Sequence, residues 1–241
     1  MTGAVVDGIS FRQSGGVLTA TLEATGGNLM SMGMCEALTE ALVQPPPDAH
    51  VLVIRATGHN FCLGRERTAV TVDSVSGEVT RLVALNTAFA ASRLVTVARV
   101  QGDAAGYGVG LAALADVAVG VESAQFNFPE VGLGLAPAIV LAWLQPLVGR
   151  REAFWLTATG EAFSALRATE LGILNEVVSG LNELDAAVQR RVDAILAASP
   201  RVHGEIKAVL RVTARMTEDE AYEVAGNRLA LASLRRALGE R

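Results

Sequence analysis

The fold is decided by one stretch of sequence, GDAAGYGVGLAALAD at residues 102–116. It follows Val95–Gln101, which is predicted to be a buried strand, and its glycines predict a tight turn into a helix that ends near Ala115. The buried strand Val51–Ala56 is likewise followed by a loop with glycines near both ends, GHNFCLGRE at 58–66. Because the start of a helix exposes unpaired backbone N–H groups, two such loops on neighbouring strands can direct two N–H groups at one oxygen.

The two loops also permit other interpretations. Glycines in a turn commonly serve tight packing alone, and a glycine-rich loop can bind a nucleotide phosphate. Neither loop contains the Gly-Lys-Ser/Thr of phosphate-binding loops or the Gly-x-Gly-x-x-Gly of dinucleotide-binding folds. Tight packing and a pair of oxygen-binding N–H groups are both open at this point.

Strands alternate with helices in the first half of the chain, and helices dominate afterwards. Apolar periodicity predicts further strands at Ile9–Gln13, Val17–Glu23 and Val117–Val121, and helices at Ser31–Val43 and Gly77–Ser92. After Pro137, helix starts are predicted at Ser199-Pro200 and at the capping box Thr217–Glu220. This order predicts a layered α/β core with a helical C-terminal part, divided as residues 1–184 and 185–241 of one continuous unit.

Composition and charge exclude several classes of protein. The 241 residues are 51% hydrophobic and carry a net charge of -5 with no block of Lys or Arg, so we expect no nucleic-acid partner. The most apolar window, Val131–Val148, is interrupted by glycines and prolines, which favours a turn and a buried helix over a membrane span. The histidines His50, His59 and His203 show no metal-ligand spacing.

The cysteines and the N-terminus predict a cytoplasmic protein. Cys35 and Cys62 form no disulfide framework, and Cys62 is interpreted as a packing residue rather than a nucleophile. Residues Met1 to Gly8 have neither a basic start nor an apolar core, so we do not expect them to be a signal peptide.

Four segments together resemble the crotonase (enoyl-CoA hydratase/isomerase) family in their order and spacing. They are FCLGRE at 61–66, GDAAGYGVGLAALAD at 102–116, AQFNFPEVGLGLAP at 124–137 and ATELGILNEVV at 168–178. The resemblance extends over about residues 9–212. It implies an α/β fold, a crotonase-like spiral of ββα repeats, with a C-terminal helical region that assembles a homotrimer or hexamer.

The resemblance also implies an acyl-CoA thioester as the substrate. In the family, two backbone N–H groups hold the thioester oxygen while it gains negative charge as an enolate, and the matching positions here are Arg65 and Tyr107. The substrate-binding residues expected beside them are Cys62, Leu63, Gly64, Gly106 and Arg67. Because CoA is part of the substrate, we expect no separate cofactor and no metal.

Glu130, in the Pro129-Glu130 turn, is the general base that the resemblance implies. Family hydratases use two glutamates, and the position of the first is Gly110 here, which cannot transfer a proton. One carboxylate beside an enolate can move a proton between two carbons, so isomerisation is favoured over hydration. Glu66 is a second candidate for the catalytic carboxylate, and its alternative role is to cap the following helix. The alternative for Glu130 is a solvated turn residue.

Alternative functions stay open beside isomerisation. A hydratase, or another enolate reaction such as decarboxylation or C–C hydrolysis, would need a displaced acid or base. A catalytically inactive acyl-CoA-binding scaffold would account for Gly110 and Tyr107. An unrelated apolar α/β protein would bind no CoA.

Several large side chains carry their own predictions. Trp143 and Trp155 lie on apolar helices and are expected in the core. The ring of Tyr107 is expected either to narrow the acyl pocket or to pack. Arg65 and Arg67 are expected either to bind CoA phosphates or to be surface charges.

Overall fold

Six strands form the main sheet of the protein, whose computed structural model describes residues 7–238. In sheet order they are β1 (Ile9–Ser14), β2 (Val17–Leu22), β3 (Val51–Ala56), β4 (Val95–Val100), β6 (Val117–Val121) and β9 (Glu176–Val178). β1 and β2 form an antiparallel hairpin, and all other neighbours in this sheet are parallel. Because β3 and β4 are parallel neighbours, the two glycine-bounded loops leave the sheet side by side.

A second, smaller sheet lies beside the loops. Its strands, in order, are β5 (Ala104–Ala105), β7 (Gln125–Asn127) and β8 (Phe163–Ser164). β5 is part of the second loop, and it pairs in parallel with β7. This pairing brings the residues after Asn127 next to the residues after Ala105.

Helices connect the strands and cover the main sheet. In the part of the chain that the structure describes they are α1 (Thr25–Asn28), α2 (Met32–Val43), α3 (Val72–Ala91), α4 (Tyr107–Ala113), α5 (Ala138–Val148), α6 (Arg150–Thr159), α7 (Ala165–Glu170), α8 (Leu181–Leu196), α9 (Pro200–Thr213) and α10 (Glu218–Ala237). A 3-10 helix, Pro129–Leu133, precedes α5. The expected α/β core with a helical C-terminal part is confirmed.

Side-chain caps explain where several helices begin. α3 begins at Val72 rather than at the predicted Gly77, because Thr71 and Ser74 form a capping box that the sequence pattern did not reveal. The capping box predicted at Thr217 is confirmed, with Glu220 as its second member. α9 begins where predicted, but the hydroxyl of Ser199 makes no capping hydrogen bond.

The core lies between the main sheet and the helices that pack on it. Every residue of β4 is buried, including the polar Thr96 and Arg99. α8 packs against β4 and β6 through buried residues that include Leu184 and Val188. The proposed boundary at residues 184/185 thus falls inside α8, whereas α9 and α10 contain no buried residue.

Polar contacts hold α9 against the core. The Lys207 ammonium donates to the carbonyl oxygen of Leu94 at 2.8 Å and pairs with the Asp116 carboxylate at 2.6 Å. One turn earlier, the ring nitrogens His203 Nδ1 and His50 Nε2 lie 3.1 Å apart. His50 is buried immediately before β3, so a proton bound to this pair would place a charge between α9 and the core.

We expect acidification to destabilise the protein through His50. The pKa of His50 lies below its ordinary value, because the imidazole is buried and lies near His203 and the charge of Arg93. His50 therefore stays neutral in the native state over a pH range in which it binds a proton in the unfolded chain, where its pKa is about 6.5. This stabilisation is complete above that value and is lost as the pH falls from it towards the lower pKa of the native state, so thermal unfolding midpoints should fall as the solution is acidified below about pH 7.

The matched comparison uses two single substitutions, each followed by thermal unfolding over the same pH range. His50→Gln removes the titrating group and should flatten the pH dependence. His59→Gln removes an exposed histidine and should keep the wild-type slope. If the unfolding midpoint depended equally on pH in wild type, His50→Gln and His59→Gln, the pH dependence could not be assigned to His50.

Other sequence predictions have mixed outcomes. The expectation that Trp155 lies in the core is wrong, because it is 58% exposed on α6, whereas Trp143 packs against the core. Within residues 7–238, no helix is both long and apolar enough to cross a membrane. The same residues contain no cluster of three or more His, Cys, Asp or Glu able to hold a metal ion. Most of the segment Met1–Gly8 lies outside the described residues.

Candidate active site

The two glycine-bounded loops are hydrogen-bonded to each other. Cys62 and Ala104 form a parallel bridge between them. The N–H of Cys62 donates to the carbonyl of Asp103 at 3.2 Å, and the N–H of Ala105 donates to the carbonyl of Cys62 at 2.9 Å. The sheet places the loops on neighbouring strands, and the bridge fixes one loop against the other.

Gly108 allows this close approach. A Cβ atom at residue 108 would overlap the carbonyl oxygen of Cys62 and would lie 2.9 Å from the Cys62 Cβ. Real Cβ atoms do not approach backbone atoms this closely, and a backbone carbonyl cannot rotate away. The packing interpretation of the glycines is therefore correct for Gly108.

The backbone N–H of Arg65 points away from Met30, the residue with which Arg65 forms a bridge. Met30 donates to the carbonyl of Gly64 at 3.0 Å and accepts from the N–H of Glu66 at 3.0 Å, which is the pattern of a parallel bridge. In such a bridge the N–H of the intervening residue points to the opposite side. The Arg65 N–H has no hydrogen-bond acceptor among the described residues.

The backbone N–H of Tyr107 is free because Tyr107 is the first residue of α4. Gly106 precedes it with a φ of 51°, a left-handed value that favours glycine. The N–H of Gly106 donates to the carbonyl of Asn127 at 2.9 Å, which ties this turn to the small sheet. Arg65 and Tyr107 thus each present an unpaired N–H, and both residues line one cavity.

Glu130 lies directly over this turn. It is 8% exposed, and its Oε1 occupies the space that a Cβ of residue 106 would fill. Its other oxygen, Oε2, is buried without a hydrogen-bond partner among the described residues. Because Glu130 is buried, the solvated-turn interpretation is wrong, and an unpaired carboxylate oxygen in such a place is costly for stability.

The cavity has a volume of about 460 Å³. The predicted site residues that line it are Leu63, Gly64, Arg65, Arg67, Gly106, Tyr107 and Glu130. Apolar side chains complete the wall, among them Leu29, Val79, Leu82, Leu133, Leu135, Ile139 and Val140. The cavity therefore combines one carboxylate and two free N–H groups with an apolar surface.

Two predicted site residues lie outside the cavity lining. Cys62 is fully buried behind the loop, where its thiol donates to the carbonyl of Gly64 at 3.2 Å, and burial raises its pKa to about 12. It is a packing residue, as interpreted. Glu66 is exposed, and the cap of the following helix is Thr71, so the helix-capping interpretation of Glu66 is wrong.

Sequence reasoning missed Glu78, which organises the first loop. Its carboxylate binds the Arg65 guanidinium at 2.8 Å, so that side chain is not free to bind a phosphate. Burial alone would raise the pKa of Glu78, but hydrogen bonds from the Ala69 N–H and Arg65 outweigh it and lower that pKa. The available signal in the sequence was that Glu78, a charged residue, lies on the same face of α3 as the apolar Leu82.

Position 110 faces an indole ring. A Cβ at Gly110 would lie 3.3–3.5 Å from three ring atoms of Trp143, a residue of α5. The Trp143 ring also packs against Phe128, with ring centroids 6.1 Å apart. The place where a second carboxylate would start is therefore bordered by an aromatic side chain.

Comparisons with known proteins agree with the sequence resemblance. The family model for enoyl-CoA hydratase/isomerase matches residues 12–230. The enoyl-CoA hydratase AKT6-1 of Alternaria alternata is 27% identical over 210 residues, spanning 86% of this chain and 70% of that protein. The peroxisomal Delta(3,5)-Delta(2,4)-dienoyl-CoA isomerase of Arabidopsis thaliana is 28% identical over 180 residues, spanning 68% of this chain and 65% of the isomerase.

A solved structure extends the comparison to the fold. It is a Thermobifida fusca protein described as an enoyl-CoA hydratase and crystallised in complex with CoA. It superimposes with a TM-score of 0.83 at 26% identity, covering 97% of this chain and 95% of that one. The fold that the sequence resemblance implied is confirmed.

Proposed function

This chain belongs to the enoyl-CoA hydratase/isomerase family, and we propose that it is an isomerase that moves the double bond of an enoyl-CoA with one carboxylate, Glu130. One observation carries this proposal. The cavity holds a buried carboxylate with an unpaired oxygen beside two unpaired backbone N–H groups, while residue 110 is glycine. These parts are sufficient for proton transfer next to a stabilised enolate.

The two N–H groups stabilise negative charge in this mechanism. The thioester oxygen of the substrate accepts hydrogen bonds from the N–H of Arg65 and the N–H of Tyr107. Removal of a proton from the α carbon then leaves an enolate whose charge is concentrated on that oxygen. Each donor contributes about 3 kcal/mol of barrier lowering, because it is already oriented and partly removed from water.

Glu130 carries the proton from one carbon to another. Its carboxylate removes a proton from C2 of a 3-enoyl thioester, and the C–H electron pair enters the enolate system. The same group, now a carboxylic acid, returns the proton to C4, so the double bond moves from C3–C4 to C2–C3. One general base that later acts as the acid is enough, and no water is consumed.

The residue at position 110 supports a reaction with one carboxylate. Hydration needs a group that activates water, and the family position for it is Gly110. The indole of Trp143 borders that position with two ring carbons and with Nε1, a buried donor that has no hydrogen-bond partner among the described residues. Glycine has no side chain and the indole N–H only donates, so neither can take a proton from water.

The cavity wall suits an apolar acyl chain attached to CoA. Leu82, Leu133 and Leu135 contribute to it, and no cofactor is needed beyond the CoA of the substrate. Arg67 is exposed and lines the cavity, so we assign it to the CoA phosphates, since guanidinium groups form paired hydrogen bonds with phosphate. Arg65 contributes its backbone and not its side chain.

The test is a pair of assays on the purified protein. We expect conversion of a 3-enoyl-CoA to the 2-enoyl isomer and no hydration of a 2-enoyl-CoA. Hydration would identify a hydratase with a displaced acid or base. Acyl-CoA binding without turnover in either assay would identify an inactive binding protein.

We also propose that the chain assembles as a homotrimer or hexamer. α9 and α10 bury no residue within one chain, and α10 exposes Leu229, Leu231 and Leu234. Exposed apolar helices of this kind are typical of subunit contacts. Light scattering after size exclusion should give three or six times the chain mass of 25.1 kDa, and a monomer would contradict the proposal.

A further inference from the structure

One face of α3 contacts both of the loops that carry the free N–H groups. Glu78, Leu82 and Asn86 follow one another at intervals of four residues, which places them in one row along the helix. Glu78 binds the first loop, and Leu82 and Asn86 bind Tyr107 in the second loop. α3 thus contacts the side chains of both donor residues, Arg65 and Tyr107.

At the first loop, Glu78 collects hydrogen bonds from the residues that follow Gly64. Its Oε2 accepts from the Arg65 guanidinium at 2.8 Å, and its Oε1 accepts from the N–H groups of Ala69 at 2.9 Å and Thr68 at 3.3 Å. Glu78 is 6% exposed, so its carboxylate is shielded from bulk water on one side of these part-buried bonds.

At the second loop, the phenol of Tyr107 makes the contact. Its hydroxyl donates to Asn86 Oδ1 at 3.0 Å and approaches the carbonyl of Leu82 at 3.5 Å. The residue is 5% exposed, and burial raises the pKa of the hydroxyl, which keeps it protonated as a donor. The ring therefore packs against α3 and anchors the loop there.

Tyr107 stands between two residues that have no side chain. In the sequence Gly106-Tyr107-Gly108, only the tyrosine can hold the backbone by a side-chain contact. Glycine backbones have the widest range of conformations, so the direction of an N–H in such a turn needs an external constraint. The phenol supplies it for the residue whose own N–H is the proposed donor.

We propose that Tyr107, through its hydroxyl, and Asn86 and Glu78 are positioning residues that aim the two N–H donors from one face of α3. The inference rests on the proposed function for its catalytic consequence. A displacement of about 1 Å in a group that stabilises the transition state can cost about 100-fold in rate. Loss of one tether should therefore lower kcat, while substrate binding through the rest of the cavity is retained.

The experiment compares two identical chemical changes. Tyr107→Phe removes only the tethering hydroxyl, and Tyr222→Phe removes the hydroxyl of an exposed tyrosine on α10. We expect kcat for isomerisation to fall about tenfold in Tyr107→Phe with KM changed less than about twofold, and no change in Tyr222→Phe. Asn86→Ala should give a similar loss, and the double variant should be no worse than either single one.

A second readout requires no substrate. Hydrogen–deuterium exchange of the segment 106–113 should become faster in Tyr107→Phe and Asn86→Ala, while exchange in the hairpin of β1 and β2 stays unchanged. Unchanged kcat together with unchanged exchange would overturn the inference, as would a loss confined to KM. A wild-type protein without isomerase activity would refute the proposed function alone, because exchange still reports the tether.

Discussion

Glu130→Gln is expected to lower kcat for double-bond isomerisation by at least about 100-fold, the usual scale of general acid–base catalysis. Glutamine has the same shape, so the fold and the affinity for CoA should be retained. The amide cannot take a proton from carbon at neutral pH, and it leaves the two N–H donors in place. The effect should therefore appear in kcat, measured by steady-state assay, with thermal unfolding as the check on folding.

Glu66→Gln is the matched control for this experiment. Glu66 belongs to the first loop, but it is exposed and does not line the cavity. We expect its substitution to leave kcat within about twofold of wild type, as for surface changes generally. A large loss in Glu66→Gln together with full activity in Glu130→Gln would reverse the assignment of the two carboxylates.

Gly108→Ala is expected to destabilise the protein by about 3 kcal/mol and to remove activity. The added methyl group would overlap the carbonyl oxygen of Cys62, which accepts the hydrogen bond from Ala105 that joins the two loops. The Cys62 carbonyl and the Ala105 N–H are buried backbone groups, so neither can move without displacing a loop. Because both N–H donors belong to these loops, activity should fall even in the molecules that remain folded.

Urea unfolding of the purified variant measures this effect, and Gly204→Ala is its control. Gly204 lies within α9, and a Cβ there would meet no atom within 4 Å. Alanine is favoured over glycine in a helix by up to about 1 kcal/mol, so this control should be as stable as wild type or slightly more stable. Equal urea midpoints for Gly108→Ala and wild type would show that the loops can separate without lowering the free energy of unfolding.

Much of the fold could be predicted from local pattern. The strands at Val51–Ala56 and Val117–Val121 lie where apolar runs predicted them, and the capping box at Thr217 begins α10. The start of α3 was missed because its capping box uses Ser74, whose short side chain is not the usual partner. The strands β8 and β9 are two and three residues long, too short for a periodic signal.

The exposure of Trp155 shows the limit of such patterns. An apolar residue on an amphipathic helix is predicted to be buried, yet Trp155 and its neighbour Phe154 are both exposed on α6. A helix pattern states which residues share a face and does not state what covers that face. The same limit applies to the exposed leucines of α10.

The sequence by itself determined the strand–loop–helix order, the glycines that let the loops approach, and the identity of the one carboxylate in the Pro129-Glu130 turn. These features depend on neighbours in the chain, whose geometry is set by local backbone conformation. Only the tertiary structure decided that the Arg65 guanidinium binds Glu78, that the Tyr107 hydroxyl binds Asn86 and that Trp143 borders Gly110. Each of these contacts joins residues at least 13 positions apart, so it depends on how helices pack across the sheet.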